Sequence, residues 1–330
     1  MVELVIVAIV GALFFDFYNG LNDAANSVAT VIGSRALRPL QAVTLAAIAN
    51  FAGPFVFGVA VAKTVGKGIV DLNVLTIYVI IAGLVGAIIW IAFASHYGIP
   101  ISASHTLIGG IIGSGVAAGG IQALIFDGLS KVLTFMVISP LAGLVIAFAI
   151  TILLLHTLKK YRPSVINKIF GRLQIVSSTF FSLTHGANDG QKTMGVIAAA
   201  LLAGGIIESF YVPYYVIILA ASAIAVGTFV GGYKVIKTMG LRLTALKPYQ
   251  GFCAETGGGV ILTMMAQYGI PVSTTHAIAG SIMGVGATKR LSAVRWGVGR
   301  TMILAWIITI PASGAMGAAA YKIMELAGII

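Results

Sequence analysis

Two polar motifs each occur twice in this chain, in the same order and at nearly the same separation. The sequence NGLND at 19–23 returns as HGAND at 185–189, an offset of 166 positions. The sequence YGIPISASH at 97–105 returns as YGIPVSTTH at 268–276, an offset of 171 positions. Whole halves are therefore duplicated. We expect a first repeat at 1–158, a basic linker at 159–172 and a second repeat at 173–330.

Composition sets the surroundings in which these motifs must fold. Of the 330 residues, 59% are hydrophobic and 9% are charged, and the mean hydropathy is +1.04. Soluble chains carry about 25% charged residues. The formal net charge of +11 does not indicate a nucleic-acid partner, because the basic residues lie in short clusters between apolar runs. We therefore predict an all-α polytopic membrane protein.

The apolar runs divide each half into six segments when about 20 residues are allowed for a full span. A polar motif inside an apolar run is costly unless it faces a water-filled path or another polar group. We expect each Asn-Asp motif to interrupt one broken span and each Ile-Pro-x-Ser motif to cap a helical hairpin. The fold prediction is two inverted-topology repeats with about 10–12 membrane segments, located at 2–19, 24–34, 41–62, 74–97, 105–122, 131–157, 173–186, 193–207, 211–233, 248–268, 276–288 and 301–328.

The basic residues predict the orientation of these segments. If the N-terminus is outside, fifteen of the twenty Lys and Arg residues are cytoplasmic, four are outside and Lys192 lies within a motif. This asymmetry agrees with the positive-inside rule. We expect a multi-pass protein of the cell membrane with both termini extracytoplasmic and the central basic loop cytoplasmic. Hairpins that span fully would give the same parity, so the pattern leaves re-entrance open.

The Ile-Pro-x-Ser motifs predict an anion site. Pro100 and Pro271 disfavour helix in the residue before them, and the hydroxyls that follow can cap a new helix. A helix N-terminus inside the membrane offers free N–H groups and the positive end of the helix dipole. Alternatively, each motif is a proline kink whose Ser and Thr bond to their own turn. The candidate phosphate ligands are Ser102, Ser104, His105, Thr106, Ser273, Thr274, Thr275 and His276, joined by Asn22 and Asn188.

The Asn-Asp motifs predict a cation site. A carboxylate, a carboxamide and free backbone carbonyls are suitable oxygen ligands for Na⁺. Gly20 and Gly186 are expected to permit the irregular backbone that frees such carbonyls. A purely structural Asn-Asp pair between helices is the alternative. The candidate ligands are Asn22, Asp23, Asn188 and Asp189.

Both motifs together resemble the inorganic phosphate transporter (PiT) family over nearly the whole chain. The segment NGLNDAANS at 19–27 is similar to the signature of that family, and HGANDGQKTMG at 185–195 is similar to its second, prokaryotic copy. The resemblance implies symport of inorganic phosphate with a co-transported cation, which is Na⁺ in many members. Other members use H⁺ or carry metal–phosphate, and one branch transports sulfate.

The chain departs from the family pattern at two places. Eukaryotic members carry a glutamate near the position of Asn50, so Glu255 is the remaining candidate carboxylate for Na⁺, and its repeat-related position is Leu84. Lys192 corresponds to Asn26 in the first half and is expected to pair with Asp189 three residues earlier rather than to contact phosphate. Three residues are accessory candidates, namely Asn26, Gln191 and Lys192.

Several roles stay open at the level of sequence. His105 and His276 can bind phosphate, carry protons or fix the hairpins as neutral donors. No His-Glu-x-x-His or Gly-x-Ser-x-Gly motif is present, so we expect a transporter and not an enzyme, with an anion channel or an intramembrane enzyme as rival classes. The expected partners are phosphate, Na⁺ and the lipid bilayer. A homodimer is one of the oligomeric states left open.

Overall fold

The computed structural model describes the backbone of residues 1–330 and all side chains except those of residues 241 and 242. Within the described part the chain folds into α-helices joined by short turns. A π-helical turn at Thr238–Arg242 follows α9, and two 3₁₀ turns lie at Ile121–Ala123 and Leu291–Ala293. The helices are α1 (Val2–Gly33), α2 (Pro39–Phe57), α3 (Ala60–Lys67), α4 (Ile77–Tyr97), α5 (Ala103–Gly119), α6 (Phe126–Thr157), α7 (Pro163–Ala203), α8 (Tyr214–Val230), α9 (Tyr233–Lys237), α10 (Pro248–Gln267), α11 (Thr274–Ala287) and α12 (Trp296–Leu326).

The order of elements is the same in the two halves. Helices α1–α6 match α7–α12 one for one, and each 3₁₀ turn lies before the last helix of its half. The packing is exchanged between halves: α1 contacts α8 and α7 contacts α2, while α5 contacts α12 and α11 contacts α6. The halves therefore interlock and do not form two separate bodies.

The helices confirm a multi-pass membrane fold. Five of them are long and apolar enough to cross a bilayer, namely α1, α2, α4, α6 and α12. A sixth span is obtained if α8 and the helical segment at Tyr233–Gly240 count as one span, bent by 62°. In the first half, α2 and α3 divide the predicted segment 41–62 in the same way at Gly58.

The predicted interruption at each Asn-Asp motif is wrong. Both motifs lie inside continuous helices, since α1 and α7 run through them without a break. The glycines serve close packing instead. A side-chain carbon on Gly20 would collide with the backbone of α8 at Ile224, and one on Gly186 would collide with the backbone of α2 at Asn50. Small residues of this kind allow membrane helices to approach closely.

The Ile-Pro-x-Ser motifs behave as predicted. Gly98 and Gly269 take left-handed φ values of 69° and 64°, which a glycine adopts without strain. Ser102 then caps α5 by accepting the backbone N–H of His105, and Ser273 caps α11 by accepting that of His276, both at 3.2 Å. Each motif thus places a helix N-terminus inside the protein.

The basic segment between the halves is mostly helical. α6 ends at Thr157 and α7 begins at Pro163, which lies inside the predicted linker 159–172. Proline is favoured at the first helical position because its missing N–H would have no partner there. The connection between the halves is therefore shorter than the sequence suggested.

Candidate functional site

Two buried carboxylates, Asp23 of α1 and Asp189 of α7, meet at the N-terminus of α11. The Thr274 hydroxyl lies between them, 3.1 Å from Oδ2 of Asp23 and 2.9 Å from Oδ2 of Asp189. A hydroxyl has one proton, so it donates to one carboxylate at a time. The structure thus brings both Asn-Asp motifs to one point, as predicted, and Thr274 links them.

The tips of α5 and α11 contact each other reciprocally beside these carboxylates. Ser104 donates to the carbonyl of Val272 at 3.2 Å, and Thr275 donates to the carbonyl of Ile101 at 3.0 Å. Thr275 also lies 3.3 Å from Oδ1 of Asp23. The two hairpin tips therefore form one polar cluster with the Asp residues, which we call the central cluster: Asp23, Asp189, Ser104, Thr274 and Thr275.

The residue three positions after each Asp contacts the tip of the opposite hairpin. Asn26 donates to the hydroxyls of Thr274 at 3.3 Å and Thr275 at 3.0 Å. Lys192 pairs with Asp189 at 2.5 Å and donates to Ser104 at 2.5 Å and to the carbonyl of Val272 at 2.8 Å. The predicted pairing of Lys192 with Asp189 is confirmed.

His185 is a site residue that the sequence analysis missed. Its Nε2 lies 3.3 Å from Asp189 and 3.7 Å from Asp23, so the imidazole touches both carboxylates. Its Nδ1 lies 3.1 Å from Oδ1 of Asn50, whose amide nitrogen donates to Thr228 at 2.8 Å. The spacing of four residues between His185 and Asp189 puts both on one helix face, and this signal was available in the sequence. Ligand atoms of Asp23, His185 and Asp189 lie within 4.8 Å of one another, a geometry that could hold a metal ion.

The two predicted tip histidines face each other. The rings of His105 and His276 have centroids 4.8 Å apart, and His276 also packs on Trp306 at 3.9 Å. Neither imidazole has a polar contact with the Asp residues among the described side chains. Thr106 donates to the Ser102 carbonyl at 2.9 Å, which is the back-bonding that the alternative interpretation of this motif expects.

Of the remaining predicted amide side chains, some form hydrogen bonds and one has no hydrogen-bond partner among the described residues. Asn22 donates to Ser95 at 2.9 Å, and Gln191 accepts the N–H of Val61 at the start of α3 at 2.7 Å. Asn188 is fully buried, and neither atom of its amide has a hydrogen-bond partner within the described part of the chain.

Glu255 is not part of the central cluster. It accepts hydrogen bonds from Thr30 at 2.5 Å, from Gln174 at 3.1 Å and from Ser177. Thr30 is seven positions after Asp23 on α1, about 10 Å along the helix axis. The structure therefore divides the predicted Na⁺ ligands into two places.

Comparison with known proteins identifies the family of this chain. Residues 19–317 match the phosphate transporter family. The chain belongs to this family. A probable low-affinity inorganic phosphate transporter of Rhizobium meliloti is 47% identical over 98% of this chain and 97% of its own length. The protein named in the same way in Bacillus subtilis is 40% identical, with 98% of both chains covered.

A solved structure shares the fold. The chain described as "the sodium-dependent phosphate transporter" superposes with a TM-score of 0.90 at 26% identity, over 98% of this chain and 99% of that one. The present protein is therefore a phosphate transporter and not an enzyme.

The central cluster of this phosphate transporter can attract ions of both signs. Two helix N-termini and the hydroxyls they carry favour an anion. Two carboxylates and nearby amide oxygens favour a cation. The two kinds of ligand group are within hydrogen-bonding distance of each other.

Proposed function

We propose that this transporter imports inorganic phosphate by symport with Na⁺, with alternating access around the central cluster. The observation that carries the proposal is the contact of Thr274 with both carboxylates. The hydroxyls best placed to bind a phosphate are the same ones that hold Asp23 and Asp189.

Because the same hydroxyls serve the carboxylates and the phosphate, binding of phosphate is coupled to binding of the cation. A phosphate approaching the tips is repelled by the two carboxylates, and it competes with them for Thr274 and Thr275. A cation bound to a carboxylate removes the repulsion and releases the hydroxyl proton for the phosphate. Each ion then raises the affinity for the other, and linkage requires this effect to be reciprocal.

The proposed ligands follow from the contacts. Phosphate binds the N-termini of α5 and α11 through backbone N–H groups and through Ser104, Thr274 and Thr275, with Asn188 as a further donor. Na⁺ binds carboxylate oxygen of Asp23 together with amide oxygens of Asn22 and Asn26, which have no partner among the described residues. Glu255 forms a second cation site with Thr30 and Ser177.

Alternating access rests on the relation between the halves. Their identical element order and exchanged packing support inverted repeats, since the reciprocal tip contacts suit a twofold axis through the central cluster. The basic residues support extracytoplasmic termini and a cytoplasmic central segment. A homodimer stays a prediction.

Accumulation of phosphate in proteoliposomes tests the proposed function. Purified protein should concentrate labelled phosphate against its gradient when a Na⁺ gradient is imposed, because coupled binding links the two free energies. Parallel experiments use an H⁺ gradient and labelled sulfate, and empty liposomes serve as the control. A channel would only dissipate the phosphate gradient. Failure to concentrate phosphate under the Na⁺ gradient would reject Na⁺ symport, and accumulation under the H⁺ gradient alone would assign the coupling to protons.

A further inference from the structure

The two halves of the site differ in charge at one pair of equivalent positions. Asn26 and Lys192 each follow an Asp by three residues, and each donates to the hairpin tip of the opposite half. The first is neutral and the second carries an ammonium group. The second half thus carries a lysine ammonium beside Asp189, and the first half has a neutral amide at the equivalent position beside Asp23.

The Lys192 ammonium is bound entirely by oxygen. Its three donors match three acceptors: Oδ1 of Asp189 at 2.5 Å, the Ser104 hydroxyl at 2.5 Å and the Val272 carbonyl at 2.8 Å. A carboxylate, a hydroxyl and a backbone carbonyl are also the groups that coordinate Na⁺ in transporters. Lysine has three N–H donors and no acceptor, so none is left over for a phosphate.

Burial makes this ion pair costly to break. The Lys192 side chain is 3% exposed and that of Asp189 is 1% exposed. A buried charge without a partner is strongly destabilising, so neither member can leave the pair without replacement. An arriving Na⁺ would have to displace an ammonium that the chain itself holds in place at high effective concentration.

We propose that Lys192 is a built-in cation that fills the position beside Asp189, so that in the central cluster a coupling Na⁺ binds only on the side of Asp23. This inference rests on the proposed function and specifies it further. Of the two duplicated carboxylates, one is neutralised by the chain and one by the transported ion. Phosphate binding then requires one Na⁺ fewer than it would if both halves bound Na⁺ at their carboxylates.

The test is Lys192→Asn, which gives the second half the residue of the first. Phosphate uptake by this variant should require one more Na⁺, seen as a steeper dependence of phosphate affinity on Na⁺ concentration. At low Na⁺ the phosphate affinity should fall by more than about tenfold, because Asp189 is left uncompensated. At saturating Na⁺ it should return to within about twofold of the wild type, since the ion replaces the ammonium.

The double variant Lys192→Asn/Asp189→Asn is the matched control. It lacks both charges and should show a Na⁺ dependence no steeper than that of the wild type, whatever its phosphate affinity. If Lys192→Asn does not fold, Lys192→Gln gives the same test, because its longer carboxamide can still reach toward Ser104. A phosphate defect that persists at saturating Na⁺ would make Lys192 a phosphate ligand and overturn the proposal. An unchanged Na⁺ dependence would reduce the pair to a structural contact and overturn it as well.

A direct binding measurement separates this proposal from the function on which it rests. Thermal unfolding of purified protein in detergent is followed with increasing Na⁺ and without phosphate. Lys192→Asn should show an additional Na⁺-dependent rise in melting temperature beyond that of the wild type and the double variant, because Asp189 gains a bound ion. This rise is expected even if phosphate uptake proves not to be Na⁺-coupled, and its absence contradicts the role of Lys192 alone.

Discussion

At the scale of single residues, the site depends on the few hydrogen-bond donors that lie between the two buried carboxylates. Thr274 donates to either Asp23 or Asp189, and His185 contacts both. Unpaired carboxylates this close would repel each other strongly in a buried site. Thr274 and His185 therefore bridge the two carboxylates, and Lys192 pairs with Asp189.

Removal of the linking hydroxyl tests this interpretation. Thr274→Val keeps the shape of the side chain but removes its proton donor, so phosphate affinity should fall by about 1–3 kcal/mol, or roughly 5- to 150-fold. Thr274→Ser retains the hydroxyl and should stay close to the wild type. The measurement is the half-saturating phosphate concentration for uptake at fixed Na⁺. Loss confined to Thr274→Ser, with Thr274→Val close to the wild type, would show that the methyl group matters and the hydroxyl does not.

Asp23 and Ser104 are expected to respond differently to Na⁺. Asp23→Asn removes the charge proposed to bind the cation, so its phosphate defect should be partly restored by high Na⁺ through reciprocal linkage. Ser104→Ala removes a hydroxyl contact worth on the order of 0.5–3 kcal/mol, and its defect should persist at saturating Na⁺. Phosphate uptake titrated at several Na⁺ concentrations distinguishes the two. Rescue of Ser104→Ala alone would reverse the assigned roles.

At the scale of elements, proline and the hydroxyls after it predicted both hairpin tips. Their effect is local, since Ser102 and Ser273 cap the helices that begin next to them. The continuity of α1 and α7 was not predicted, because glycine and polar residues usually weaken a helix. In the folded protein each motif glycine faces the backbone of another helix, and such a neighbour is invisible in local sequence.

Contacts between residues far apart in sequence account for the parts of the site that could not be predicted. Asn50 is 135 positions from His185, and Thr30 is 225 positions from Glu255. No periodicity links such pairs, so the partner of His185 and the separate location of Glu255 required the structure. The central cluster itself was predictable because duplication pointed to a shared site.

The close approach of α7 to α2 gives a test of element packing. Gly186→Ala places a methyl group against the Asn50 backbone, which cannot rotate away as a side chain would. We expect a loss of about 1–3 kcal/mol or more in stability. Gly171→Ala in the same helix meets no atom within 4 Å and should stabilise by about 0.5–1 kcal/mol. Thermal unfolding in detergent compares them, and a tolerated Gly186→Ala would contradict the packing role.

At the scale of the whole molecule, duplication gives two similar halves with unequal charges. The exchanged packing of α1 on α8 and α7 on α2 makes each half incomplete without the other. The inverted repeats proposed above would provide two related arrangements around one site, as alternating access requires. Asn26 and Lys192 then make the halves chemically different without changing their shape.

Equivalent loops should lie on opposite sides of the membrane if the repeats are inverted. Asn73 lies in the connection from α3 to α4, and Lys247 lies in the equivalent connection from α9 to α10, just before Pro248; both are exposed.

The only native cysteine, Cys253, is buried and can be replaced to give a cysteine-free background. Asn73→Cys should react with a membrane-impermeant maleimide in intact cells, because the basic residues place this loop outside. Lys247→Cys should react only after the cells are permeabilised, while a permeant maleimide labels both. Labelling of both positions from the same side would mean that the repeats are parallel, and alternating access by exchange of two inverted halves would then be wrong.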